Sequence, residues 1–199
     1  MNIYITSDTH YGHANISGPE VSRWPSGYRD FESVHKMNTS IVESINKYVG
    51  ENDILYHLGD WSFGGVKNIL KFRSQLICKN IHLILGNHDE NITDKEISYE
   101  GGTFNPVDLF SSIQDVLMLK KYKFFMSHYS HRVWPGSHKG VIHLYGHSHG
   151  NIEDYGKSMD VGIDSAYKFY GEYRPFHIND VYEIMSKREI SEIDHHKKD

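Results

Sequence analysis

The chain has 199 residues, 38% of them hydrophobic and 24% charged, and a formal net charge of -5. That length gives one domain with a sizeable core, and the acidity argues against a long nucleic-acid track, which a strongly basic surface would have to line. One cysteine, Cys78, excludes a disulfide framework, and no stretch approaches the ~20 apolar residues of a membrane span, so a soluble, cytoplasmic protein is expected.

Residues 2–7 alternate apolar and polar and read as a strand. The segment 11–30, rich in Gly, Pro, Ser and Asn, reads as a long loop. Asp30 then caps a predicted helix running to about Val49, with Val34, Met37, Ile41, Ile45 and Val49 at helical spacing. Residues 53–58 form a short apolar run ending at Gly59-Asp60. Val66, Ile69, Leu70, Phe72 and Leu76 predict a second helix over 66–76, and 81–85 is another apolar run, ending at Gly86. Strand, helix, strand, helix, strand implies a parallel sheet with crossover helices. Residues 91–112 show no clear period. Four strands are predicted at 113–119, 122–127, 141–145 and 157–163, then a closing helix from about Asn179. The reading is one domain over 1–190 with a polar tail over 191–199, and two sheets packed face to face with helices outside.

The fifteen histidines matter through their placement. Five short clusters each fall where a predicted strand ends: Asp8-Thr9-His10, Gly59-Asp60, Gly86-Asn87-His88-Asp89, Ser127-His128 and Gly146-His147-Ser148-His149. In open α/β sheets ligands bind outside the carboxyl ends of the strands, so these clusters can converge. Carboxylate, imidazole and amide donors without a thiolate suit hard or borderline divalent cations such as Mn²⁺, Zn²⁺, Fe²⁺ or Ni²⁺. Asp8/His10 and His147/His149 stand at i and i+2, which on an extended segment points both side chains one way. Asp8, His10, Asp60, Asn87, His128, His147 and His149 are too many for one ion with open positions. They suit two cations sharing a bridge, for which Asp60 is the candidate. Singly, each cluster is weak: Gly-Asp is commonly a turn, and His128 could be a hydrogen-bonded strand-end histidine.

Taken together, the five clusters resemble the calcineurin-like metallophosphoesterases, whose pattern is Asp-x-His, Gly-Asp, Gly-Asn-His-Asp/Glu, a His, then Gly-His-x-His. The resemblance spans residues 3 to about 163, and its opening Ser-Asp-Thr-His-Tyr-Gly-His-Ala-Asn is similar to small stand-alone bacterial and phage members. It implies the metallo-dependent phosphatase fold, a four-layer α/β/β/α sandwich with two packed mixed sheets. It also implies that Asp8, His10, Asp60 and His149 hold one cation and that Asp60, Asn87, His128 and His147 hold the other. His88 would not ligate; it would stabilise phosphate charge and protonate the leaving oxygen. One departure stands out. Protein phosphatases of the family carry a second Asp three residues after the bridging one, and here that position is Phe63.

Two loops could shape a substrate pocket: 12–30, with His13, Asn15, Arg23 and Arg29, and 129–140, with His131, Arg132, Trp134, His138 and Lys139. His131 and Arg132 directly follow a ligand strand and rank first as substrate-binding residues. The expected substrate is a small phosphomonoester or phosphodiester, a nucleotide included. The competing readings are a nuclease on single-stranded or structured nucleic acid, and a non-catalytic metal-binding scaffold. Oligomeric state is not legible.

Overall fold

The computed structural model describes residues 1–20, 29–92 and 96–190. The tail over 191–199 and Arg23 lie outside them. The predicted β–α alternation is present: β1 (Ile3–Thr6), a four-residue α1 (Ala14–Ser17), α2 (Val34–Tyr48), β2 (Ile54–His57), α3 (Val66–Gln75) and β3 (Asn80–Ile84). The cap of α2 is Ser33, whose side chain accepts from Lys36 N at 3.2 Å, and not Asp30. The apolar stripe of α2 explains its position, since Met37, Ile41 and Ile45 are buried. β1–β2 and β2–β3 pair in parallel, as the crossovers require.

Residues 91–112, which lacked a period, hold a small antiparallel hairpin, β4 (Ile97–Tyr99) and β5 (Gly102–Phe104). The predicted strand 113–119 is two strands. β6 (Ser112–Gln114) pairs in parallel with β3 in the first sheet, and β7 (Val116–Leu119) pairs antiparallel with β8 (Phe124–Ser127) in the second. The chain changes sheets at Asp115, and a continuous hydrophobic pattern hides such a switch. β9 (Ile142–Tyr145) pairs in parallel with β8 and with β10 (Ser158–Asp160), so this half is less hairpin-like than its short turns suggest. The reading missed α4 (Ile163–Tyr170) and β11 (Phe176–His177); the closing helix is α5 (Ile178–Ser186).

The sheets run β11-β1-β2-β3-β6 and β10-β9-β8-β7. They pack face to face, giving a mixed α/β protein with two packed sheets, as the resemblance implies. Ile3, Ile5, Tyr56 and Ile84 from the first sheet meet Phe124, Met126, Ile142, Leu144 and Met159 from the second, with Val181 and Met185 of α5 in the same core. The other face of the first sheet buries Leu55, Ile81 and Leu83 against α2 and α3. Cys78 is buried there, as a small hydrophobe. On the outer face of the second sheet, Trp134 packs on Phe125 and Val141. No helix among the described residues is long and apolar enough to cross a membrane.

Candidate metal centre

Every candidate ligand falls just beyond a strand's carboxyl end, so both sheets deliver side chains to one edge of the sandwich. Backbone hydrogen bonds lace the loops together. Asp8 N donates to Gly59 O at 2.9 Å, His10 N to Asp60 O at 3.0 Å, and Gly146 N to His128 O at 2.9 Å. Asp89 acts as a clamp between two of these loops: Oδ2 accepts from Asp60 N and Gly86 N, both at 2.8 Å, and Oδ1 from Trp61 N at 2.9 Å. Gly86 and Gly146 are required by close approach. A side chain at Gly86 would strike the Asp60 carboxylate, and one at Gly146 would strike Ser7 and Asp8.

The local geometry overturns one expectation. Asp8, His10, Asp60, His147 and His149 have φ between 47° and 65°, in the left-handed region that costs non-glycine residues of order 1–3 kcal/mol each. The i, i+2 pairs are therefore not on extended backbone. Among the described residues, seven non-glycine positions have positive φ, and these are five of them, so the strain concentrates at the candidate ligands.

Three groups of ligand atoms form, each with its atoms within 4.8 Å of one another: Asp8, His10 and His149; His10, Asp60 and His88; and Asp60, His128 and His147. His147 and His149 thus reach different groups. Asp60 stands between them. Its Oδ2 lies 3.3 Å from His10 Nε2, and its Oδ1 lies 3.5 Å from His128 Nε2 while accepting His88 N at 3.0 Å. Asn87 Oδ1 is 3.0 Å from His128 Nε2.

The environment fits divalent cations. His10 is buried, and neither of its ring nitrogens has a hydrogen-bond partner, which is costly for a polar group unless a metal takes a lone pair. Burial, followed by the nearby His149 and Arg29, pulls His10 well below the ordinary imidazole range and keeps it neutral, the form that ligates. Burial pushes Asp8 well above the usual carboxylate range; His149 opposes this, and Asp160 and Asp60 add to it. Two buried carboxylates beside one another call for a cation.

Two histidines are held in register by partners on their other nitrogen. His128 Nδ1 lies 2.8 Å from Leu58 O, leaving Nε2 toward Asp60. His149 Nδ1 lies 2.7 Å from Asp164 Oδ2, and Arg29 grips both oxygens of Asp164, with Nε to Oδ1 at 2.8 Å and Nη2 to Oδ2 at 2.9 Å. Arg29 also donates to Asp8 O at 2.6 Å and Thr9 O at 3.1 Å. Burial raises the Asp164 pKa, but Arg29 outweighs it and holds the carboxyl below its ordinary range. Burial lowers His149, but Asp164 and Asp8 outweigh that and leave it above its ordinary value.

Sequence reasoning missed Asp164, which lies in the unrecognised α4, and placed Arg29 in a substrate loop, whereas it is buried. Trp134, placed in the other substrate loop, is likewise buried, with Nε1 donating to Val141 O at 2.8 Å. The His131 ring packs edge-on to Phe125 and His143, and Arg132 lies over Tyr155 at 4.4 Å. The cavity over the ligands, about 250 Å³, is lined instead by His10, His13, Ile16, Asp60, Asn87, His88, His147 and His149.

The chain is similar to several known proteins. An uncharacterised protein of Methanocaldococcus jannaschii is 26% identical over 198 residues, covering 94% of this chain and 93% of its own length. The Gene 66 protein of Mycobacterium phage D29 is 33% identical over 90 residues, 44% of this chain and 40% of that one. The crystal structure of a protein of unknown function from Aquifex aeolicus superposes with a TM-score of 0.57 at 18% identity, covering 92% of this chain and 98% of that one, a likeness of fold. The family model described as calcineurin-like phosphoesterase matches residues 1–184, and the chain therefore belongs to that family.

Proposed function

We propose that the protein hydrolyses a phosphomonoester or phosphodiester of a small molecule or nucleotide at a centre of two divalent cations. The observation that carries this reading is Asp60: its two oxygens face opposite ways, Oδ2 toward His10 and Oδ1 toward His128, the disposition a bridging carboxylate needs. Asp8, His10, Asp60 and His149 would hold one cation, and Asp60, Asn87, His128 and His147 the other. When bound, the cations supply a lowered water pKa and a positive clamp on the phosphoryl oxygens.

The chain's own residues do the rest. Asp89 fixes the two loops that carry Asp60 and Asn87, and Asp164 fixes the His149 ring. His88 is exposed in the cavity wall, and its backbone N–H is tied to Asp60 Oδ1, so its ring can reach a bound ester. It hydrogen-bonds a phosphoryl oxygen and delivers a proton to the leaving oxygen.

The test pairs metal analysis with turnover of bis-p-nitrophenyl phosphate and p-nitrophenyl phosphate under Mn²⁺, Zn²⁺, Fe²⁺ and Ni²⁺. Wild type should bind two cations per chain and turn over. Asp60→Ala should lose both cations and activity. His88→Ala should keep the cations and lose about 10²–10⁴ in turnover. One cation at saturation in wild type, or full activity in His88→Ala, would refute the scheme.

A further inference from the structure

The cavity over the ligands does not end at His88. A second cavity of about 300 Å³ lies on the other side of that residue, with Ser62, Phe63, Gly65, Glu90 and Asn91 among its walls, and His88 belongs to both. A side chain that protonates a leaving oxygen must stand beside it, so whatever departs extends toward His88 and into this second space. We propose that the second cavity is a leaving-group subsite that takes a nucleobase, making the preferred substrate a nucleotide diester. This rests on the phosphoesterase reading above.

Four features select that occupant. Phe63 presents an aromatic ring that is 41% exposed, and every base has a face to stack on it. The ring is pinned, stacked on His13 with centroids 4.1 Å apart at 13°, and edge-on to His88 at 5.5 Å, so little ordering is needed to receive a flat ligand. The wall at Gly65 faces open space, since a Cβ there would meet nothing within 4 Å. The polar wall suits a neutral ring and not a second phosphate. Asn91 offers an amide, and the Glu90 carboxylate repels an anion. Phe63 thus occupies the position where protein phosphatases of the family carry an acid, and puts an apolar face there.

The experiment compares two diesters of methyl phosphate, one esterified to the 5′-oxygen of thymidine and one to ethanol. The measured quantity is the ratio of kcat/KM values, nucleoside ester over ethyl ester. Phe63→Ala should lower that ratio about five- to a hundredfold, the loss expected for one base stack, and Phe63→Trp should hold it. A second measurement needs no turnover: quenching of 2-aminopurine riboside fluorescence by metal-free protein, expected for wild type and Phe63→Trp and lost in Phe63→Ala. An unchanged ratio in Phe63→Ala, or quenching indifferent to position 63, overturns the subsite while leaving the phosphoesterase reading intact. Absence of all turnover with normal, Phe63-dependent quenching would sink the phosphoesterase reading and keep the base site.

Discussion

At the scale of single residues, the centre depends on groups that touch no substrate. Arg29 and Asp164 are both buried, and their ion pair is the link between the Asp8-Thr9 backbone and the His149 ring. Removing one partner of a buried pair leaves the other charge uncompensated, at about 3–5 kcal/mol. Asp164→Asn should therefore lower stability by that order in urea unfolding. It should also weaken cation binding about 10–100-fold by calorimetry, because His149 loses its orienting carboxylate. Full cation affinity in this variant would show that the His149 ring needs no such support. The left-handed backbone at five candidate ligands belongs to the same scale: the neighbouring loops over-determine it through hydrogen bonds such as Asp8 N to Gly59 O.

At the scale of elements, the second sheet carries a histidine unconnected with the metal groups. His143 on β9 is buried; its Nδ1 lies 3.2 Å from Phe125 O, and its Nε2 accepts from His131 N at 2.9 Å. That pairing requires the neutral ring, and burial pulls its pKa down from 6.5 to about 4. The unfolded chain thus takes up this proton before the folded one does. The stabilising contribution is present above pH 6.5 and is lost as pH falls toward 4, by up to about 3 kcal/mol. Urea unfolding across that window should show the loss in wild type and a flatter profile in His143→Gln. Equal slopes would place the pH sensitivity elsewhere.

At the scale of the whole molecule, the two sheets lend ligands to one edge, so cation binding and folding are coupled. An unfolded chain has no assembled site, and a cation at a hundred times its Kd adds about 2.7 kcal/mol per site. For a chain of 199 residues that is a rise in Tm of about 5–10 °C per occupied site over the chelator-treated protein. Asp60→Ala should show no such rise by calorimetric scanning. A cation-independent Tm in wild type would mean that the ligands do not assemble a tight site.

The sequence by itself determined the β–α alternation of the first ninety residues and the chemical identity of the centre. Apolar periodicity reports directly on which face is buried, and carboxylate, amide and imidazole donors declare their chemistry wherever they stand. The resemblance, and not spacing or donor type, divided the donors between two cations, and the tertiary structure supplied a physical reason. His147 and His149 are two positions apart, yet they join different groups, because the backbone between them turns through left-handed φ and is not extended. The tertiary structure also decided the switch of sheets at Asp115 and the contacts of Asp164, Arg29 and Phe63. Those residues act through partners up to 135 positions away, as in Arg29–Asp164, and local pattern carries no record of contacts at that separation.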